Sequence, residues 1–104
     1  KGSTIITTQE ELEGFYIVRA ILRNTIDANR IVHRDAQSYF AILLDDNNRK
    51  PICRLHLNGS KKSITLFDEN KAEQRYEISS IDDIFLHSAA LIKSLSAYEK
   101  PVAS

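Results

Sequence analysis

Pro51-Ile52-Cys53-Arg54-Leu55-His56-Leu57-Asn58-Gly59-Ser60-Lys61-Lys62-Ser63-Ile64-Thr65-Leu66-Phe67 is the stretch whose reading decides the fold. In its first half Cys53, Leu55 and Leu57 alternate with Arg54 and His56, the two-residue period of a strand with one apolar face. Asn58-Gly59 is the strongest short hairpin signal in the chain, because both residue types tolerate the dihedrals of a tight turn. Residues 63–67 then supply a second strand. Two strands joined by so short a connection run antiparallel.

The pattern extends outward in both directions. Residues 39–44 are apolar on both faces, as expected of a central strand covered on both sides or packed by a helix. Asp45-Asp46-Asn47-Asn48-Arg49 is a turn cluster, since Asp and Asn side chains bond their own backbone and tolerate left-handed dihedrals. Residues 30–34 read as a short strand on the N-terminal side of this run. Downstream, Asp68-Glu69-Asn70-Lys71 reads as a further turn. Residues 74–78 read as a last strand, with Tyr76 and Ile78 facing one way.

Helical signals flank the strands. Thr7-Thr8-Gln9-Glu10-Glu11 contains a capping box, a Thr cap followed three residues later by Glu. Behind it a helix is expected over residues 9–24. Leu12, Phe15, Tyr16, Ile17, Val18, Ala20, Ile21 and Leu22 form its broad apolar face, with Arg19 and Arg23 opposite. Gly14 interrupts it at a cost of about 1 kcal/mol relative to Ala. At the other end Ser79 or Ser80 caps a second helix, with Asp82 and Asp83 in its first turn. Ile81, Ile84, Phe85, Ser88, Leu91, Ile92 and Leu95 recur there as a stripe for packing on the sheet. The expected fold is therefore α+β: an N-terminal helix, a four- to five-stranded antiparallel sheet, and a C-terminal helix packed on the sheet. One domain is expected over residues 7–99, with residues 1–6 a linker and residues 100–104 a tail.

At 104 residues, with 42% apolar and 27% charged side chains, the chain has the composition of an ordered soluble protein. No run approaches the ~20 apolar residues that cross a bilayer, so no membrane partner is expected. The lone Cys53 forms no internal disulfide and points to a reducing, cytoplasmic compartment. The chain has no methionine and starts at Lys1, which leads us to expect a piece of a longer polypeptide.

Motifs for catalysis are sparse. A metal-dependent nuclease needs carboxylates converging on Mg²⁺ with a Lys nearby. The one Glu-x-Lys, Glu69-Asn70-Lys71, falls in an expected turn, where such a tripeptide is commonplace, and Asp45-Asp46 is first of all turn chemistry. His33, His56 and His87 lack zinc-site spacing, and Cys53 alternates with leucines as a buried small residue would. Glycines at 2, 14 and 59 make no phosphate loop. No catalytic residue, metal site or cofactor is therefore expected in this segment.

Charge is unevenly placed. Residues 1–29 carry net −1, residues 30–62 net +4 and residues 63–104 net −3. The basic segment coincides with the central strands. Arg34, Arg49, Lys50, Arg54, Lys61 and Lys62, with His56 adjacent, are thus the expected phosphate contacts on a sheet face or hairpin rim, and DNA the expected partner. An oligomerisation or protein-docking module is the other reading. It rests on the two-sided apolar strand at 39–44, the broad first helix and an exposed sheet edge, and has a homodimer as its simplest form.

Three stretches carry a resemblance. They are Thr7-Thr8-Gln9-Glu10-Glu11-Leu12-Glu13-Gly14-Phe15-Tyr16-Ile17-Val18, the run from Ser38 through Leu43-Leu44-Asp45-Asp46-Asn47-Asn48-Arg49-Lys50-Pro51-Ile52-Cys53-Arg54-Leu55, and Leu66-Phe67-Asp68-Glu69 together with Ser80-Ile81-Asp82-Asp83-Ile84. Together they resemble the C-terminal domain of bacterial and phage endonuclease-like proteins whose N-terminal part is similar to the type I restriction enzyme R subunit. The resemblance implies a restriction-type nuclease domain upstream, in cis, holding the catalytic acids and Mg²⁺. It places no catalytic residue in this segment.

Overall fold

The computed structural model describes residues 7–36, 38–68, 70–95 and Tyr98. The chain runs α1 (Gln9–Leu22), a 3₁₀ turn at Ala28–Arg30, then β1 (Ile31–Asp35), β2 (Phe40–Leu44), β3 (Pro51–His56), β4 (Lys62–Phe67) and β5 (Glu73–Ile78). A 3₁₀ segment, Ile81–His87, leads into α2 (Ser88–Ser94). Every strand pairs antiparallel with its sequence neighbour, so the sheet is a five-stranded meander in the order β1-β2-β3-β4-β5. The α+β arrangement expected from the sequence is what the chain adopts.

The capping box closes as written in the sequence. The Thr8 hydroxyl accepts from the Glu11 N–H at 3.1 Å, and Glu11 Oε1 accepts from the Thr8 N–H at 2.9 Å. Phe15, Val18 and Leu22 carry the buried stripe of α1, which ends two residues earlier than expected. Arg19 is not opposite that stripe. Its Nε donates to the Ala28 carbonyl at 3.3 Å and its guanidinium lies over the Phe15 ring, so it ties the helix to the following turn. At Gly14 the helix lies close against the sheet: a Cβ there would stand 2.6 Å from Leu55 Cδ1.

One sheet face receives the helices. Ile31, Phe40, Ile42, Leu44, Cys53, Leu55, Ile64, Leu66 and Ile78 meet Phe15, Val18, Leu22, Ile84, Leu91 and Leu95 in one core. His33 joins that face, with its ring between Phe15 and Phe40. The β2–β3 register shifts between Ile42 and Leu43, which pair with Cys53 and Pro51. Ile52 is thus the extra residue of a bulge, and it is buried together with Cys53. Burial pushes the Cys53 thiol far above its usual titration range, in keeping with a packing role.

The hairpin signalled by Asn58-Gly59 forms, through a connection longer than a tight turn: residues 57–61 join β3 to β4, and Gly59 does not adopt positive φ. Left-handed backbone occurs instead at Asp45 (φ 59°), Asp46 (φ 55°) and Lys71 (φ 65°), in the turns after β2 and before β5. The second helix starts as a 3₁₀ segment. Its Ser80 N-cap makes no side-chain capping bond, and the Ser79 N–H is taken instead by Asp83 Oδ2 at 2.8 Å. Three residues per turn keep Ile81 and Ile84 on the inner side but rotate Phe85 out, leaving it 51% exposed, and Ile92 is 40% exposed. Glu69, which opens the Glu-x-Lys tripeptide, and the linker and tail residues 1–6 and 100–104 lie outside the described residues.

Candidate functional site

With both helices on one side, the opposite sheet face carries the side chains that alternate with the core. Register places Arg34 beside Ala41, Ala41 beside Arg54, Arg54 beside Thr65 and Thr65 beside Arg75, a single row running across all five strands. Neighbouring strands lie about 4.8 Å apart, so the three arginine backbones stand about 10 Å apart along this row. The next row is His56, Ser63 and Glu77.

Each arginine is oriented by specific contacts. Arg34 donates to Asp46 Oδ1 at 2.6 Å and to Asn48 Oδ1 at 3.2 Å, both on the β2–β3 loop. The Arg54 guanidinium lies 5.0 Å from the Tyr39 ring centroid and 5.2 Å from that of Phe67, with Glu73 at 3.6 Å. Stacked between two rings, its planar fork is held in place while its charge stays at the surface. Arg75 Nε donates to Ser63 Oγ at 2.8 Å. His56 Nε2 shares a 2.8 Å hydrogen bond with Thr65 Oγ1, and its ring lies 6.2 Å from that of Tyr39. Burial, followed by the nearby Arg75 charge, lowers the His56 pKa below its ordinary value. Thr65 is only 4% exposed, so this hydroxyl–imidazole pair anchors the ring and presents no nucleophile to solvent.

A cleft of about 380 Å³ opens on this face. Its floor is Ala41, Leu43 and Pro51, and its walls include Arg34, Tyr39, Asn48 and Arg54. This accounts for the doubly apolar β2: Phe40, Ile42 and Leu44 fill the core, while Ala41 and Leu43 are buried beneath the arginine walls. The rim is the β2–β3 loop, where Arg30 binds Asp45 through two hydrogen bonds of 2.7 and 2.6 Å. Those bonds, more than the surrounding charge, hold the Asp45 carboxyl below the usual carboxylate range.

The expected phosphate contacts divide. Arg34, Arg54 and His56 come together on the helix-free face. Arg49 and Lys50 lie on the loop at its rim, with Lys50 Nζ 3.7 Å from Asp45. Lys61 is exposed in the β3–β4 connection, beside a shallow depression that Ser63 and Arg75 also line. Lys62 also borders that depression, but it opposes Ile78 and its Nζ is engaged by Glu10 of α1 at 3.0 Å on the helix side. Sequence reasoning missed Arg75, hidden between Glu73 and Glu77 in an acidic segment. The alternation that turns Tyr76 and Ile78 inward is the signal that would have found it. The face is no unbroken basic patch, because Asp46, Glu73 and Glu77 interleave with its arginines.

Among the described residues, no cluster of three or more His, Cys, Asp or Glu side chains is placed to hold a metal ion. No helix among them is long and apolar enough to cross a membrane. No protein-family model, curated protein or solved structure matches the chain.

Proposed function

We propose that this domain is a non-catalytic accessory module that engages nucleic acid across its helix-free sheet face, serving a restriction-type endonuclease-like parent protein in the cytoplasm. Metal-dependent cleavage belongs, on this reading, to an upstream nuclease domain of that parent. The observation that carries the proposal is the cross-strand row Arg34, Arg54 and Arg75, with the Tyr39 and His56 rings beside it. Guanidinium forks match phosphate geometry, and aromatic rings on an open sheet offer stacking platforms for unpaired bases. This combination favours a single strand lying across the face over a duplex gripped by a protruding element.

The test is fluorescence anisotropy with labelled single- and double-stranded oligonucleotides across a salt series. Three phosphate contacts on a single strand give a log–log salt slope near −2, about a 20-fold loss of affinity between roughly 50 and 200 mM salt. Arg34→Gln/Arg54→Gln/Arg75→Gln, shown to be folded by circular dichroism, should flatten that slope. A wild-type chain that binds no oligonucleotide at the lowest salt, or a triple variant with unchanged affinity and slope, refutes the proposal.

A further inference from the structure

The meander leaves β5 at one end of the sheet, with no strand on its outer side among the described residues. It is the most solvent-exposed strand of the five, with residues 73–77 all exposed. The hydrogen bond from the Asp68 N–H to the Ala72 carbonyl, 3.1 Å, sets the phase of the β4–β5 ladder. Gln74, Tyr76 and Ile78 turn their backbone groups toward β4. Glu73, Arg75 and Glu77 turn theirs to the open edge.

An edge carrying alternating charges resists indiscriminate pairing, yet it remains selective for one partner register. A second copy of the same strand, approaching antiparallel about a two-fold axis, has three registers near the strand centre. Centring on Arg75 sets that residue against its own copy and Glu73 against Glu77, stacking like charges. Centring on Gln74 carries the pairing into Lys71, whose φ of 65° turns the chain out of the strand. Centring on Tyr76 keeps the pairing within the strand. It sets Arg75 against Glu77 twice, Gln74 against Ile78 twice, and Tyr76 against itself. Tyr76 suits that position: its ring is 40% exposed, it stands 5.0 Å from His87, and its hydroxyl donates to Gln74 Oε1 at 2.6 Å. In such a non-hydrogen-bonded pair facing side chains approach most closely, which suits aromatic contact.

We propose that β5 pairs antiparallel with β5 of a second copy of this chain, centred on Tyr76, joining the two sheets into one. The interface is isologous and closes as a two-fold dimer. Charge complementarity between Arg75 and Glu77 selects the register.

The test is the oligomeric state of the full 104-residue chain without nucleic acid, so its outcome is separate from that of the binding proposal. Sedimentation velocity over about 1–100 μM should show a concentration-dependent dimer. Arg75→Glu sets acid against Glu77 of the second copy and should weaken dimerisation about tenfold. Arg75→Glu/Glu77→Arg restores both pairs and should recover it. Tyr76→Cys should form a covalent dimer on mild oxidation, since Cα atoms about 4.5 Å apart in such a pair lie within disulfide reach. Arg75→Cys, which does not face its own copy, should not. A wild-type monomer throughout that range overturns the proposal, as does a folded double variant that stays monomeric or a Tyr76→Cys chain that fails to cross-link.

Discussion

Placing a methyl group at Gly14 probes the contact that seats α1 on the sheet. The added Cβ would stand 2.6 Å from Leu55 Cδ1 and 3.5 Å from Ile84 Cδ1. Carbon atoms prefer separations of about 3.5–4.0 Å, so the first contact is short by about 1 Å. Leu55 is fully buried, and it yields only by leaving its rotamer or by lifting the helix. Overpacking of this kind costs about 1–3 kcal/mol, while Ala in place of Gly within a helix returns about 1 kcal/mol. Gly14→Ala should therefore destabilise the fold by about 1 kcal/mol. Leu55→Ala alone opens a cavity at about 2–5 kcal/mol. In the double variant the new methyl enters the vacated space and the clash disappears. The two changes should then couple favourably by about 1–3 kcal/mol. Urea unfolding followed by far-ultraviolet circular dichroism at constant m-value measures all four corners of the cycle. Additivity within about 0.5 kcal/mol, or a Gly14→Ala variant stabilised by the whole helix-propensity gain, would refute the close-approach explanation.

Two further outcomes bear on the helix-free face. Asp46→Asn removes the charge that holds Arg34, and should tighten oligonucleotide binding by up to about fivefold, the worth of an exposed ion pair, in the anisotropy assay. Unchanged or weaker binding would remove Arg34 from the interface. His56 has a folded-state pKa below its unfolded one, so its contribution to stability is complete above the unfolded pKa. That contribution is lost as pH falls through the unfolded value toward the folded one. His56→Gln should therefore flatten the fall in unfolding free energy between about pH 7 and 5, read from urea titrations at each pH, and an unaltered slope would show that this ring titrates freely.

Legibility in the sequence followed the range of the interaction. The Thr8–Glu11 box was readable because its donors and acceptors lie within one helical turn. So was the division of Cys53 and Leu55 from Arg54 and His56, because a strand alternates whatever it packs on. The pairing of Lys62 with Glu10 is not legible, because the β3–β4 connection is longer than Asn58-Gly59 suggests, which leaves the phase of the next strand undecided until it pairs. The exposure of Phe85 is not legible, because apolar spacing does not distinguish a 3₁₀ segment from an α-helix.

The sequence by itself determined the element order, the antiparallel sense of the strands and which side chains share a face of each strand. These depend on local periodicity and on short connections that permit no crossover. Only the tertiary structure decided that Arg34, Arg54 and Arg75, from three strands spread over more than forty positions, fall in one row. It also decided that Asp46, Glu73 and Glu77 stand among them. Cross-strand register is a property of paired strands, and it selects the partners each guanidinium finds.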